Sequence, residues 1–287
     1  MLSLDHILLP VDFSERSTVA AHYARAIASR CHSLVSTLHA LYPPHYEFGA
    51  AMLGELYPDR VELAEDELES FASAELHGLK TKRVVLPGDP ASTIVQYARN
   101  AKVGLIVMPT HGYGPFRRFI LGSTTAKVLH DSDVPVLTGA HLETAQPPGE
   151  VTFDTVVCAV DFTPHCEAAL QWASAFGQLF GSRLFVVHAL PVVAGQAAED
   201  ETVHAGWGSG LENTAGERLK EMLKELAVNA VPIVSGGEPV HAVCRQLEEL
   251  RADLLVIGRS STSGLLGRLR TNAYALIRES RCPVISV

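Results

Sequence analysis

The chain has 287 residues, of which 47% are hydrophobic, and a formal net charge of −9. This length suits two domains of ordinary size, each with a substantial core. The acidic balance, with no cluster of Lys and Arg longer than Arg117-Arg118, argues against a nucleic-acid partner. No run approaches the about 20 apolar residues of a membrane helix, so we expect no membrane partner.

The cysteines and the N-terminus predict a cytoplasmic protein. Five cysteines are scattered without a CxxC spacing, and several fall inside apolar runs. This pattern is typical of reduced core residues rather than of disulfides or metal ligands. The N-terminus has no basic region ahead of a long apolar stretch, so we expect no export signal.

A repeat organises the chain. The segment that begins at His6 returns at Thr155, so that Asp12 matches Asp161 at a shift of 161 − 12 = 149 residues. The same shift separates His39 from His188 and Gly88 from Gly237. The predicted boundaries are a first domain at 1–140, a linker at 141–152 and a second domain at 153–287.

Five short apolar runs in each half predict β-strands. They lie at 6–11, 34–40, 82–86, 105–108 and 134–138, and again at 155–160, 184–189, 231–235, 254–257 and 283–287. Near-continuous apolar runs are typical of parallel strands buried on both faces, and the stretches between them are amphipathic. The sequence therefore predicts an α/β fold of two repeated doubly wound domains, each a five-stranded parallel sheet flanked by helices.

Three X-Pro pairs predict helix starts. Asp89-Pro90 and Thr163-Pro164 place a capping oxygen before a proline whose φ suits the first helical turn. Glu238-Pro239 is a weaker signal of the same kind.

Open α/β sheets bind ligands at the carboxyl ends of their strands. The loop after the fourth strand contains Gly112, Gly114 and Gly122, which allow close approach to the backbone and supply φ > 0 where a tight curve needs it. Gly122-Ser123-Thr124 opens the next helix, whose free amides suit an anion. The loop is therefore a candidate phosphate cradle, to which Arg117 and Arg118 add charge.

Two motifs resemble those of the universal stress protein family. Pro10-Val11-Asp12-Phe13-Ser14 is similar to the family's strand-ending P-x-D-x-S, and Pro109-x2-Gly112-x9-Gly122-Ser123 is similar to G-x2-G-x9-G-[ST] of its nucleotide-binding members. The resemblance covers almost the whole chain. It implies an adenine nucleotide alpha hydrolase-like fold and a cytoplasmic stress-response protein that binds ATP, with or without Mg²⁺, as a regulatory ligand.

The resemblance also implies the contacts. Asp12 would touch the adenosine portion, the backbone of Ala40 would pair with adenine, and the loop glycines and hydroxyls would hold the phosphates. The implied binding residues of the first domain are Pro10, Asp12, Ala40, Pro109, His111, Gly112, Gly122, Ser123 and Thr124. Pro109 departs from the motif, because proline has no amide hydrogen where the family has its first glycine.

The second half matches less well. Gly258 keeps the first glycine, but Ser261 takes the place of the second, and at the constant shift Thr271-Asn272 take the place of Gly122-Ser123. The corresponding candidates are Asp161, Ala189, Gly258, Arg259 and Asn272. We therefore expect ATP mainly in the first domain, with the second a diverged copy.

Simpler interpretations stand beside these. Asp12 and Asp161 are also the residues expected to organise the turn into the first helix, and His39 and His188 are expected to pack or hydrogen-bond rather than to bind a ligand. The segments 41–60 and 191–210 differ most between the copies, and the second, rich in Ala, Gly and acids, predicts a mobile segment or a disordered surface loop.

Catalytic motifs are missing: there is no GxxxxGK[ST], no GxGxxG after the first strand, no GxSxG and no HExxH. We expect no enzyme, with at most slow, incidental ATP hydrolysis. The resemblance implies that the final strands pair between the domains, and it favours a homodimer. The competing hypothesis is a nucleotide-free scaffold that docks other proteins under stress.

Overall fold

A computed structural model describes residues 2–41, 50–110, 121–139, 151–191, 201–259 and 271–287. The chain divides into two compact units, Met1–Thr152 (unit 1) and Phe153–Val287 (unit 2). Each unit is an α/β domain, as the sequence predicts.

Unit 1 alternates strands and helices. Its elements are β1 (His6–Pro10), α1 (Glu15–Cys31), β2 (Leu34–Leu41), α2 (Ala50–Glu75), β3 (Lys80–Pro87), α3 (Pro90–Asn100), β4 (Leu105–Pro109), α4 (Ser123–Asp131) and β5 (Val136–Gly139). The strands are parallel and lie in the order β3-β2-β1-β4-β5. This confirms the predicted doubly wound sheet.

Unit 2 repeats the arrangement. Its elements are β6 (Thr155–Val160), α5 (Pro164–Phe180), β7 (Arg183–Leu190), α6 (Glu201–Glu225), β8 (Val231–Gly236), α7 (Pro239–Leu250), β9 (Leu254–Ile257), α8 (Thr271–Glu279) and β10 (Val284–Ser286). The strand order is β8-β7-β6-β9-β10, again parallel.

The central strands form the core of each unit. Ile7, Leu8 and Leu9 of β1 are fully buried, and so are Val156 and Val157 of β6. Burial on both faces explains why these strands read as continuous apolar runs. None of the described helices is long and apolar enough to cross a membrane.

The strand registers show that the copies keep the 149-residue shift through their first four strands. Ile7 pairs with Leu105 in unit 1, and Val156 pairs with Leu254 in unit 2. Each residue of the second pair lies 149 positions after its counterpart. The two sheets are therefore the same structure up to the end of the fourth strand.

The constant shift then fails, which corrects the residue matching made from the sequence. α4 begins at Ser123 and α8 at Thr271, and 271 − 123 = 148. Ser132 and Ser280, also 148 apart, each donate to a carbonyl and accept from an amide two residues on. The loop of unit 2 is therefore one residue shorter.

Thr271 consequently corresponds to Ser123, and Asn272 to Thr124. The residue that stands where unit 1 has Gly122 is Arg270, not Thr271. A sequence comparison at constant shift misses this, because the missing residue lies between the fourth strand and the next helix, where the two loops share little sequence.

The capping hydrogen bonds at the three predicted helix starts do not follow the expected order of strength. Asp89 caps α3 by accepting from the amide of Ser92 at 3.0 Å, as predicted. Glu238, the weaker signal, also caps, accepting from the amide of His241 at 3.0 Å. α5 begins at Pro164 with Thr163 as its N-cap, as predicted, but the hydroxyl of Thr163 donates to Asp161 and caps no helix amide.

The segments that follow β2 and β7 are more regular than expected. Residues 42–49 and 192–200 lie outside the described residues, but helices begin at Ala50 and at Glu201. The prediction of an irregular segment as far as residue 210 is therefore wrong. Further along α6, Leu219 and Leu223 are buried, and such packing outweighs the cost of about 1 kcal/mol for a helical glycine.

Candidate functional site

Strand order reverses between β1 and β4 in unit 1, and between β6 and β9 in unit 2. In an open parallel sheet, the crevice at such a point lies outside the carboxyl ends of the strands and is the usual ligand site. The predicted binding residues follow these strand ends, so each unit has one candidate site.

In unit 1 the turn after β1 is built around Asp12. Its Oδ1 accepts hydrogen bonds from the amide and hydroxyl of Ser14, at 3.1 and 2.5 Å, and from the hydroxyl of Ser17 at 2.7 Å. Ser14 is the N-cap of α1. Asp12 therefore organises the entry into the first helix, while no donor among the described residues reaches its Oδ2.

Asp161 repeats this turn in unit 2 with one change. Its Oδ1 accepts from the amide and hydroxyl of Thr163, at 3.1 and 2.5 Å. Cys166 stands in the position of Ser17, since 166 − 17 = 149. Burial and the nearby charge of Asp161 raise the pKa of the Cys166 thiol, so it stays protonated at neutral pH.

An aromatic residue and a histidine close the turn in both copies. Phe13 and Phe162 have positive φ values of 62° and 56°, a conformation that costs energy in a residue other than glycine. The ring centroid of Phe13 lies 4.7 Å from that of His39, and the ring centroid of Phe162 lies 4.1 Å from that of His188. Because both copies keep this strained backbone conformation, we infer that the contacts around the turn hold its geometry.

The two histidines are hydrogen-bonding residues, as expected. Nδ1 of His39 donates to the carbonyl of Val11 at 2.8 Å, and Nδ1 of His188 donates to that of Val160 at 2.9 Å. A carbonyl only accepts, so Nδ1 bears the proton in each of these hydrogen bonds.

The backbone of Ala40 points into the crevice. β1 pairs with β2 as far as Leu38, whose carbonyl accepts from the amide of Val11, while β2 continues alongside β3 to Leu41. Alternate residues of a strand direct their N–H and C=O groups to the same side. Ala40 therefore presents a donor and an acceptor beyond the end of β1.

Ala189 has the same position in unit 2. β6 pairs with β7 as far as His188, and β7 continues to Leu190, whose carbonyl accepts from the amide of Gly237 on the other side. Ala189 thus directs its N–H and C=O past the end of β6.

At the far side of the unit 1 site, β4 is tied to α4. The hydroxyl of Thr125 donates to the carbonyl of Pro109 at 2.9 Å, and the amide of Gly122 donates to the carbonyl of Thr110 at 2.7 Å. Gly122 is the N-cap of α4 and provides no side-chain acceptor for the amides of the first turn. Those amides, with the hydroxyls of Ser123 and Thr124, suit an anion.

The expected left-handed conformation of Gly122 is not found. Its φ is −60°, which any residue adopts, so the backbone angle does not require a glycine here.

A cavity of about 320 Å³ occupies the site of unit 2. All five residues predicted for this domain line it: Asp161, Ala189, Gly258, Arg259 and Asn272. The strand ends and the start of α8 bring these positions together. The volume lies at the small end of the range for ligand pockets, about 300–1,000 Å³.

The predicted residues of unit 1 lie at the corresponding strand ends and at the start of α4, but part of the site is not described. His111 and Gly112 lie outside the described residues, as do Arg117 and Arg118. Ser123 is exposed, and Thr124 is partly so.

Sequence reasoning missed several cavity residues. Cys166, His188, Pro239, Val243 and Leu276 also line the cavity. Cys166 was detectable, because its position is that of Ser17 in the first copy. The apolar residues carry no motif, and only the packing of α7 and α8 brings them to the site.

The described residues contain no group of three His, Cys, Asp or Glu side chains that would hold a metal ion. The five cysteines are free; Cys158, Cys166 and Cys282 are buried, and Cys31 and Cys244 are partly exposed. The expectation of core thiols is thus confirmed for three of the five.

Comparison with known proteins agrees with the fold. The profile of the universal stress protein family matches residues 3–138 and 152–287. A universal stress protein of Thermus aquaticus is 34% identical over 131 residues, which cover 46% of this chain and 95% of that protein.

Two further proteins are similar over the whole length. A universal stress protein of Mycolicibacterium smegmatis is 22% identical, with 98% of this chain and 96% of that protein covered. The crystal structure of a universal stress protein from Archaeoglobus fulgidus has a TM-score of 0.72 at 23% identity, and covers 99% of this chain and 98% of its own. These matches extend through both units.

Proposed function

The chain belongs to the universal stress protein family, with one family domain in each unit, and from this premise we propose that it binds ATP as a regulatory ligand, mainly in unit 1. The observation that supports binding is the cavity of unit 2, whose wall contains all five residues predicted for that domain. The strand ends that line this cavity have counterparts in unit 1 at the ends of β1, β2 and β4.

The assignment of ATP to unit 1 rests on the two later glycines. Unit 1 has Gly112 and Gly122, whereas unit 2 has Ser261 and, after correction of the register, Arg270. A polyphosphate held by backbone amides needs close approach to the chain, which a side chain at either position obstructs.

The base and sugar have matching partners in unit 1. Ala40 offers adjacent donor and acceptor groups of the kind that the edge of adenine requires. The Oδ2 of Asp12 has no donor among the described residues and suits a ribose hydroxyl, while Oδ1 keeps the turn in place. Since no carboxylate cluster is found among the described residues, Mg²⁺ would enter on the phosphates of ATP rather than through a protein site.

We propose regulation rather than catalysis, because Oδ1 of Asp12 is engaged by three donors and is poorly placed to act as a general base. The protein is proposed to act in the cytoplasm during stress, as a homodimer. Light scattering of the purified chain measures that assembly.

The test is nucleotide content and affinity. Purified protein is denatured, and the released small molecules are separated and identified, while calorimetry with ATP follows binding to nucleotide-free protein. We expect adenine nucleotide in the first experiment and saturable heat in the second. If millimolar ATP gives neither result, the proposal fails, and the scaffold that docks other proteins becomes the better hypothesis.

A further inference from the structure

The cavity of unit 2 differs chemically from the equivalent site of unit 1. We infer that unit 2 binds a nucleoside monophosphate in preference to a triphosphate, so that the two units select different phosphate lengths. This inference rests on the proposal that the crevice is a nucleotide site, but it does not need ATP to bind in unit 1.

The nucleoside end of the site is retained in unit 2. Asp161 lines the cavity at the end of β6, and Ala189 directs its backbone groups into it. Gly258 stands where unit 1 has Pro109, which removes a ring from the wall and provides a backbone amide. Unit 2 is therefore better suited than unit 1 to the sugar.

One hydrogen bond of unit 1 has no counterpart among the described residues of unit 2. In unit 1 the hydroxyl of Thr125 occupies the carbonyl of Pro109. The matching residue in unit 2 is Ala273, since 273 − 125 = 148, and it has no hydroxyl to donate to the carbonyl of Gly258. Both Ala273 and Gly258 line the cavity, so this carbonyl is well placed to accept from a ligand hydroxyl.

The part of the site that would hold the phosphate differs most between the two units. Arg259 lines the cavity and is only 8% exposed, whereas unit 1 has Thr110 at this position. A buried arginine next to the ligand provides one strong charge-assisted contact for a phosphate. It does not replace a chain of backbone amides.

The positions proposed to hold the β- and γ-phosphates in unit 1 are changed in unit 2. The sequence has Ser261 and Arg270 where unit 1 has glycines, and the loop is one residue shorter. The cavity itself is small, about 320 Å³. One phosphate next to Arg259 therefore fits the chemistry better than three.

Cys166 provides a readout specific to this site, since it lines the cavity and its counterpart in unit 1 is a serine. The experiment measures alkylation of Cys166 by N-ethylmaleimide in the full chain, by peptide mass spectrometry, with adenosine, AMP or ATP present. The other cysteines, Cys31 in unit 1 above all, are internal controls.

We expect AMP to protect Cys166 at concentrations at least tenfold lower than either adenosine or ATP. Arg259→Met should abolish the advantage of AMP over adenosine, and Arg259→Lys should restore part of it. If alkylation is too slow to follow, calorimetry is done in a Gly122→Val chain, in which ATP binding by unit 1 is weakened, so that the ranking of the three ligands reports on unit 2. Protection by ATP equal to or stronger than that by AMP, equal protection by AMP and adenosine, or no binding by any of the three overturns the inference.

The two proposals fail separately. If calorimetry detects no binding of ATP while AMP still protects Cys166 from alkylation, only the proposed function is contradicted. Saturable ATP binding that depends on unit 1, without AMP protection, contradicts only this inference.

Discussion

The turn after the first strand and the start of the fourth helix have diverged to different degrees in the two units. Asp12 and Asp161 each accept an amide and a hydroxyl hydrogen bond, and the phenylalanine that follows keeps the same strained φ. At the other side of the crevice, the glycine that caps α4 is an arginine in unit 2, and one residue is missing.

This contrast separates the requirements of the fold from those of a ligand. Both units need the same turn between their first strand and first helix, because the hydrogen bonds of the turn hold that junction. The helix start tolerates change, because both helices form with or without the glycine. Differences there change the chemistry of the crevice rather than how the domain folds.

Asp12→Ala should have the largest effect, because it removes three hydrogen bonds to a carboxylate oxygen in a partly buried turn. We expect unit 1 to lose about 3 kcal/mol of stability, measured by native-state hydrogen exchange of its peptides. Asp12→Asn keeps an acceptor oxygen and should lose less than half as much. If Asp12→Ala leaves exchange unchanged, the turn does not depend on this side chain.

Gly122→Val tests the other side of the crevice. Because φ is −60° at this residue, valine fits the backbone, and the main effect should be on the ligand. We expect ATP affinity to fall more than tenfold in calorimetry. Arg270→Val, the same side chain at the matching position of unit 2, should leave the ATP affinity of unit 1 unchanged. An equal loss from both variants would contradict the assignment of ATP to unit 1.

A smaller effect should distinguish the caps of α3 and α7. Hydrogen bonds from Lys127 and Ser92 lower the pKa of Asp89 to about 2. Because this value lies below that of the unfolded chain, about 4, the stabilisation is complete above that pH and is lost as the pH falls toward 2. The pair is exposed, so we expect a contribution of only about 0.5 kcal/mol.

Asp89→Asn isolates this ion pair, because asparagine also caps helices well. Its effect on unit 1 should disappear at high salt and near pH 2. Ala275 takes the place of Lys127 in unit 2 (275 − 127 = 148), where Glu238 instead faces the exposed His241 at 3.5 Å, so Glu238→Gln should show less salt dependence than Asp89→Asn. Both tryptophans, Trp172 and Trp207, lie in unit 2, so their fluorescence monitors that unit, and hydrogen exchange monitors unit 1. A salt-independent effect of Asp89→Asn would rule out the ion pair.

The sequence was sufficient for the fold because the strands are buried on both faces. β6 and β9 begin and end where the apolar runs do. β3 extends two residues earlier than predicted, from Lys80, since an exposed edge strand keeps its ladder without apolar residues. Hydropathy has no signal for that extension.

The site was predicted less completely. The predicted residues of unit 2 that follow strand ends line one cavity, because topology brings strand ends together. The register of α8 was not, because a single missing residue in a loop leaves no trace in the hydrophobic pattern. The hydroxyl of Thr163 was assigned to the helix cap, although Asp161 two residues earlier competes for it.

The most direct test of the difference between the units is a crystal structure of the full chain grown with ATP. We predict an ordered triphosphate at the start of α4 in unit 1, with Asp12 and Ala40 against the nucleoside, and no ordered β- or γ-phosphate at the start of α8. An ordered triphosphate at α8, or a unit 1 site that ATP leaves empty, would contradict the account.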